Sequence, residues 1–169
     1  RSVRASELFA LGTKFPEGFC GNNPGFDCLL GNPPWDMVEF SEKEFFAAPA
    51  PDITFAPTNR QREHLIAALE TSNPALFQMY LDGKRSIYAT RKFFQNSARY
   101  PFSSEGRINL YPIFVELAPS LVNSKGRAGI IVPSAISMDA YNANLFGWLI
   151  KNELVQSLFD FENKLGLFP

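Results

Sequence analysis

FDCLLGNPPW, residues 26–35, is an apolar run that stops at Gly31 and passes directly into Asn32-Pro33-Pro34-Trp35. The run is too short for a helix, carries apolar side chains toward both faces and is bounded by turn formers. That is the pattern of a central parallel strand covered on both sides. The tetrapeptide therefore falls at the carboxyl end of a strand, where open α/β sheets place their ligands. Pro33 has no N–H and a fixed φ, so its carbonyl oxygen is left to accept a hydrogen bond. The Asn32 side-chain oxygen is a second acceptor. Two acceptors held by a rigid Pro-Pro turn fit both hydrogens of an sp² amino group, and Trp35 offers a face for a flat ring.

Upstream, the chain reads as a lead-in: a short apolar patch at Leu8, Phe9 and Leu11, then Phe15-Pro16-Glu17 and a Gly/Asn/Pro-rich turn ending at Gly25. Residues 36–106 read as a helical insert. Ser41 with Glu44 and Thr58 with Gln61 are capping boxes. Asn73-Pro74 is an N-cap with proline at the first helical position, opening a run through Met79, Tyr80, Ile87, Tyr88 and Phe94. Arg60, Arg62, Lys84, Arg85, Arg91, Lys92 and Arg99 concentrate in this region, as either a solvated helix face or a phosphate-facing surface. His64 stands alone and reads as ordinary surface or core.

Residues 108–122 carry Leu110, Phe114, Leu117 and Leu121 near helical spacing. Pro112 is tolerable in the first turn, and Pro119 is expected to bend or weaken the last. Asn109 fits an N-cap or a site residue, and Glu116 a solvated side or a site residue. Ser124-Lys125-Gly126 ends the helix, and residues 127–132, RAGIIV, form a second buried strand closed by Pro133. Residues 139–153 make a further helix and residues 154–161, LVQSLFDF, a third strand. The fold class is α/β, a partial parallel sheet with helical crossovers that brings residues 32–35, 133–136 and 162–163 to one rim. Asp27 and Asp36 have no evident acid/base partner.

The chain has 169 residues, 46% of them hydrophobic, which fits one folded domain with a substantial core. Seventeen phenylalanines imply mostly aromatic core with some rings at a ligand surface. A formal charge of -1 carries no global signature of a protein that grips nucleic-acid phosphates by net charge. Cys20 and Cys28 lack metal-ligand spacing and read as free thiols in a reducing compartment. No apolar run approaches the ~20 residues needed to span a bilayer, and the N-terminal residues show no apolar signal-peptide core. The expectation is a cytoplasmic protein without membrane contact.

Asn32-Pro33-Pro34-Trp35 resembles the catalytic motif of amino-methyltransferases that use S-adenosylmethionine, Asn/Asp/Ser-Pro-Pro-aromatic. Its neighbours extend the likeness in order: Phe15-Pro16-Glu17, Gly25-Phe26-Asp27, Asn109-Leu110-Tyr111 with Phe114 and Glu116, Gly126-Arg127 through Pro133-Ser134, Phe161-Glu162-Asn163 and Phe168-Pro169. Together they are similar to γ-type DNA adenine-N6 methyltransferases of restriction-modification and phage-defence systems. The resemblance implies the catalytic half of a Rossmann-like methyltransferase domain acting on double-stranded DNA. It further implies that Asn32 and Pro33 accept hydrogen bonds from the adenine amino group, that Trp35 stacks on the flipped base and that Phe168 contacts the base from its other side.

The family's Gly-rich cofactor turn and ribose-binding acid have no counterpart here: Gly18, Gly21 and Gly25 lie in a Pro/Asn loop with no preceding strand. The expectation is one partial domain (residues 1–35, lead-in and motif; 36–106, insert; 107–169, helix-strand-helix-strand). Its partners would be the rest of a parent polypeptide, holding the cofactor and a target-recognition domain. In isolation it would be inactive, with an exposed sheet edge open to self-association. Two other readings remain: a methyltransferase acting on protein glutamine or an RNA base, and a non-catalytic DNA-specificity or interaction module.

Overall fold

Strand β1 (Phe26–Gly31) pairs in parallel with β2 (Val122–Ile130), aligning Cys28 with Arg127 and Gly31 with Ile130. The computed structural model describes Phe19 and residues 22–162. Helix α5 (Leu110–Leu121) leads into β2 and packs on both strands. Pro112 sits in its first turn and Pro119 inside it, two residues before it ends.

β2 begins five residues earlier than the turn formers Ser124-Lys125-Gly126 imply. Side chains hold its first half against β1. The Asn123 amide donates to Asp27 at 2.7 Å, and Asn23 Oδ1 accepts from the Ser124 amide at 3.3 Å and its hydroxyl at 2.9 Å. Asp27 thus has a structural partner. The register shifts between Phe26 and Cys28, where β2 takes up extra residues. Gly25 makes this approach feasible: its φ is +116°, and a Cβ there would lie 2.6 Å from Val122 C and Asn123 N.

Three expectations fail: neither strand is buried, residues 127–129 and Ile131 of the second run being exposed, and no third strand forms. β1 is not a buried central strand: Leu30 is 78% exposed, and Asp27 and Cys28 are exposed too. It has one neighbouring strand, so the two-sided cover that its apolar composition presumes is missing. No strand forms over residues 154–161 either. Arg127 reaches Gln156 at 2.8 Å and Ser134 reaches Asp160 at 2.8 Å, but these are side-chain ties. Leu158, Phe159 and Phe161 stay exposed, so forming a ladder there would bring no accompanying burial.

The described residues divide into two compact units: Val38–Asn96, and those on either side of it. In the sheet-bearing unit one core cluster is Tyr111, Ile136, Leu145 and Leu149, with Phe102 stacked on Trp148 at 5.0 Å. After β2 come α6 (Ala135–Met138), a 3-10 turn (Ala140–Asn142) and α7 (Ala143–Lys151). The continuous helix expected from residue 139 is interrupted because Asp139 caps the 3-10 turn. Asn142 donates inside the core to the Tyr111 hydroxyl at 3.0 Å and the Ala135 carbonyl at 2.9 Å.

The other unit is wholly helical: α1 (Glu42–Phe46), α2 (Pro51–Thr54), α3 (Asn59–Ser72) and α4 (Pro74–Asn96). The capping residues work as their patterns imply. Ser41 accepts from Glu44 N, Thr58 from Gln61 N and Asn73 from Leu76 N. Phe46, Ile53, Ile66, Leu69, Leu76 and Tyr80 form the core. Arg62 leaves the charged surface, buried with its guanidinium donating to Ile53 O and Asn59 Oδ1.

Tyr80 donates to Glu42 Oε1 at 2.7 Å and accepts from Lys84 Nζ at 2.9 Å. Burial pushes the Tyr80 phenol above its ordinary value, and the hydrogen bond to Tyr80 raises the Lys84 ammonium. Both groups hold their protons more tightly when folded than when unfolded. Their stabilisation is therefore complete below about pH 10 and is lost as pH rises through the folded values. Urea unfolding followed by circular dichroism from about pH 9 to about pH 11 should show stability falling more steeply in the wild type than in Tyr80→Phe. Parallel declines would remove this pair from the alkaline transition.

Candidate active site

The motif is attached to β2 at both of its flanks. Ile131 N donates to Gly31 O at 2.9 Å, immediately before Asn32. The Ile131 carbonyl then accepts from Trp35 Nε1 at 3.4 Å. Asn32, Pro33 and Pro34 thus bridge two points fixed by a single residue of the neighbouring strand. Downstream, Asp36 O accepts from Leu110 N at 3.0 Å and Met37 forms a bridge with Asn109. These contacts tie the motif to the start of α5.

Asn32 is exposed, Pro33 buried and Pro34 half-buried, while Trp35 is 49% exposed. Burial of Pro33 costs no orphaned donor, because proline has no N–H. Among the described residues the exposed Asn32 side chain makes no hydrogen bond, which leaves its oxygen available to a ligand. Trp35 combines a fixed indole N–H with an accessible ring, the combination a stacking platform needs. Chemically the segment presents acceptors and an aromatic face.

Of the other segments expected at the rim, Ser134 follows β2 and is hydrogen-bonded to Asp160. This pair, 26 residues apart in sequence, has no signature in spacing or composition. Glu162 is exposed and outside any strand. Phe168 and Asn163 lie outside the described residues. His64 is exposed on α3, beside Asp52, Phe55 and Leu65 in an open concavity that no residue of the motif lines. Among the described residues, no cluster of three or more His, Cys, Asp or Glu could hold a metal ion, and no helix is long and apolar enough to cross a membrane.

Two residues left open by sequence are structural. Asn109 is the N-cap of α5, accepting from Tyr111 N at 3.4 Å. Glu116 is buried on α5, where its carboxylate accepts from the Phe102 amide at 3.1 Å and the Ser103 amide at 2.9 Å, and from the Ser103 hydroxyl. It clamps the loop that carries Phe102 onto Trp148.

Residues 80–168, just over half of the chain, match the Eco57I restriction-modification methylase. The chain belongs to this family. Membership places it among the DNA methyltransferases of the restriction-modification type. The matched region takes in α5, β2 and α7 and begins after residues 26–35, so the motif is an observation independent of the match. Neither curated proteins nor solved structures give a match.

Removing the Glu116 acceptor should strand two backbone amides. Glu116→Ala is expected to lose about 2–3 kcal/mol of stability and Glu116→Gln clearly less, read from urea midpoints. Equal losses would show that the carboxylate is not the clamp.

Proposed function

We propose that this methylase transfers a methyl group from S-adenosylmethionine to the N6 amino group of adenine in double-stranded DNA, with residues 32–35 binding the amino group. The observation that supports the reading is the anchoring of both flanks of the motif on Ile131, which holds the backbone of residues 32–34 between two tied points beside an accessible ring. In this reading the Asn32 side-chain oxygen and the Pro33 carbonyl accept the two amino hydrogens. Their pull leaves the nitrogen lone pair more localised and more nucleophilic as positive charge develops on the nitrogen. Trp35 stacks on the extruded base, offsetting part of the few kcal/mol that unstacking costs. Phe168 is proposed as the opposing wall. The parallel β1–β2 pair with its helical connection supports a Rossmann-like sheet.

The described residues offer no cradle for S-adenosylmethionine. β1 leads into Pro33-Pro34, and β2 into Pro133-Ser134 and the four-residue α6; neither is a glycine-rich turn opening a long helix. We propose that the donor's site and target recognition lie outside the described residues. The chain itself contributes orientation and polarisation of the acceptor amino group.

The test uses the parent polypeptide and tritiated cofactor, with DNA, RNA and protein extract as acceptors. Asn32→Ala should lower DNA methylation by about 10²–10³-fold, while Asn32→Asp, which keeps an acceptor oxygen, loses less. Calorimetry on the isolated chain should show no tight cofactor binding. Labelling of RNA or protein in place of DNA, or full activity of Asn32→Ala, sinks the reading.

Each strand of the described sheet has one unpaired edge. We propose that these edges receive further strands of the parent, and that the isolated chain substitutes a second copy. Light scattering across a concentration series should then show reversible dimers, and a monomer throughout would count against it.

A further inference from the structure

Helix α4 has a face that changes character along its length. Phe77, Leu81, Arg85, Tyr88 and Lys92 follow one another at steps of three or four residues and so lie along one side of the helix. Phe77 and Leu81 pack against the core of the helical unit. Beyond them the same side is exposed and cationic: Arg85, Arg91 and Lys92 flank Tyr88, which is 64% exposed. Lys92 Nζ lies 5.6 Å from the centre of the Tyr88 ring.

The bland reading is a solvated helix face, which ordinarily intersperses acids with bases. Here residues 83–104 contain no Asp or Glu at all, in a chain whose net charge is -1. Arg85 has one exposed ion pair, with Asp82 at 3.5 Å, which contributes little. Arg91 and Lys92 make no ion pair among the described residues. Nor does the helix dipole account for them, since the last turn of α4 holds no basic residue.

We propose that the C-terminal half of α4 binds the sugar-phosphate backbone of double-stranded DNA, an inference that rests on the DNA-methylation reading. Arg85 and Lys92 are about 10 Å apart along the helix axis. That is on the order of the ~12 Å width of the B-DNA major groove, so the two can reach phosphates on separate strands. Arg91 reaches a further phosphate, and the exposed Tyr88 between the cations offers a hydroxyl donor to the same backbone. Contacts of this kind set affinity and register and carry no base sequence.

The test is fluorescence anisotropy of the 169-residue chain with a labelled duplex of arbitrary sequence, titrated over a range of salt concentrations. Three phosphate contacts predict a slope of log affinity against log salt of about -2.7, and Arg91→Gln/Lys92→Gln should reduce it to about -0.9. Over a fourfold rise in salt, the affinity loss then shrinks from about 40-fold to about 4-fold. Arg91→Lys/Lys92→Arg should restore the wild-type slope, while Lys125→Gln/Lys151→Gln, which removes equal charge elsewhere, should leave it unchanged. Circular dichroism confirms that each variant is folded.

An unchanged slope in Arg91→Gln/Lys92→Gln, an equal drop in the Lys125/Lys151 variant, binding confined to single-stranded RNA, or no duplex binding by the wild type would each overturn the proposal. Asn32→Ala should retain the full slope. A parent that fails to methylate DNA while the slope still responds to Arg91 and Lys92 would sink the methylation reading and leave this surface standing.

Discussion

Ile131 has one backbone N–H and one backbone carbonyl, and both are committed to the flanks of the motif, at Gly31 and at the Trp35 indole. Because the side-chain period of a strand is two, a one-residue slip of β1 against β2 would turn Leu29 and Leu30 to opposite faces and move Gly31 away from Ile131. The position of Asn32 to Pro34 is therefore a consequence of register. Register in turn is held at the far end of the pair, where Asp27 binds Asn123, Asn23 binds Ser124 and Gly25 admits the close approach. Disturbing those contacts reaches the motif through the ladder.

The tetrapeptide is stiff for a second reason. Two consecutive prolines fix φ twice and remove two donors, so Pro33 can be buried without an unsatisfied N–H. A side-chain amide in an ordinary loop would lose more freedom on binding a ligand. The helical unit leaves the sheet-bearing chain after Met37 and returns at Ser97, yet the bonds of Asp36 to Leu110 and of Met37 to Asn109 close that opening from within the sheet-bearing unit. The exit of a 59-residue insertion thus coincides with a point where the backbone is tied down (38 to 96 inclusive).

Local chemistry was legible in sequence, and long-range cover was not. Ser41, Thr58, Asn73 and Asn109 each act within four residues of their own position, and each caps the helix its pattern implies. The end of β1 was likewise readable from Gly31 and the prolines. Burial of β1 was not, because an apolar composition cannot say whether a neighbour is present to cover it. LVQSLFDF has the composition of a strand, yet Leu158, Phe159 and Phe161 remain exposed without one. Polar contacts beyond a helical turn also escaped: Glu116 fits a solvated side or a site residue in sequence but is held by Phe102 and Ser103, and Arg62 fits a surface cation but donates to the Ile53 carbonyl. In the motif, residue types were readable and their attachment to Ile131, 96 residues from Trp35, was not.

Net charge illustrates the same separation of scales. A chain at -1 projects almost no field at a distance, which argues against steering toward nucleic acid by the molecule as a whole. At physiological salt, however, the Debye length is about 8 Å, so a phosphate at the surface responds to the few charges within roughly that radius. Along the second half of α4 those charges are Arg85, Arg91 and Lys92, with Asp82, one turn earlier and paired to Arg85, as the nearest acid on the helix. The quantity that decides contact with a polyanion is thus how charge is segregated along one helix. A near-neutral total is compatible with a cationic face on one helix.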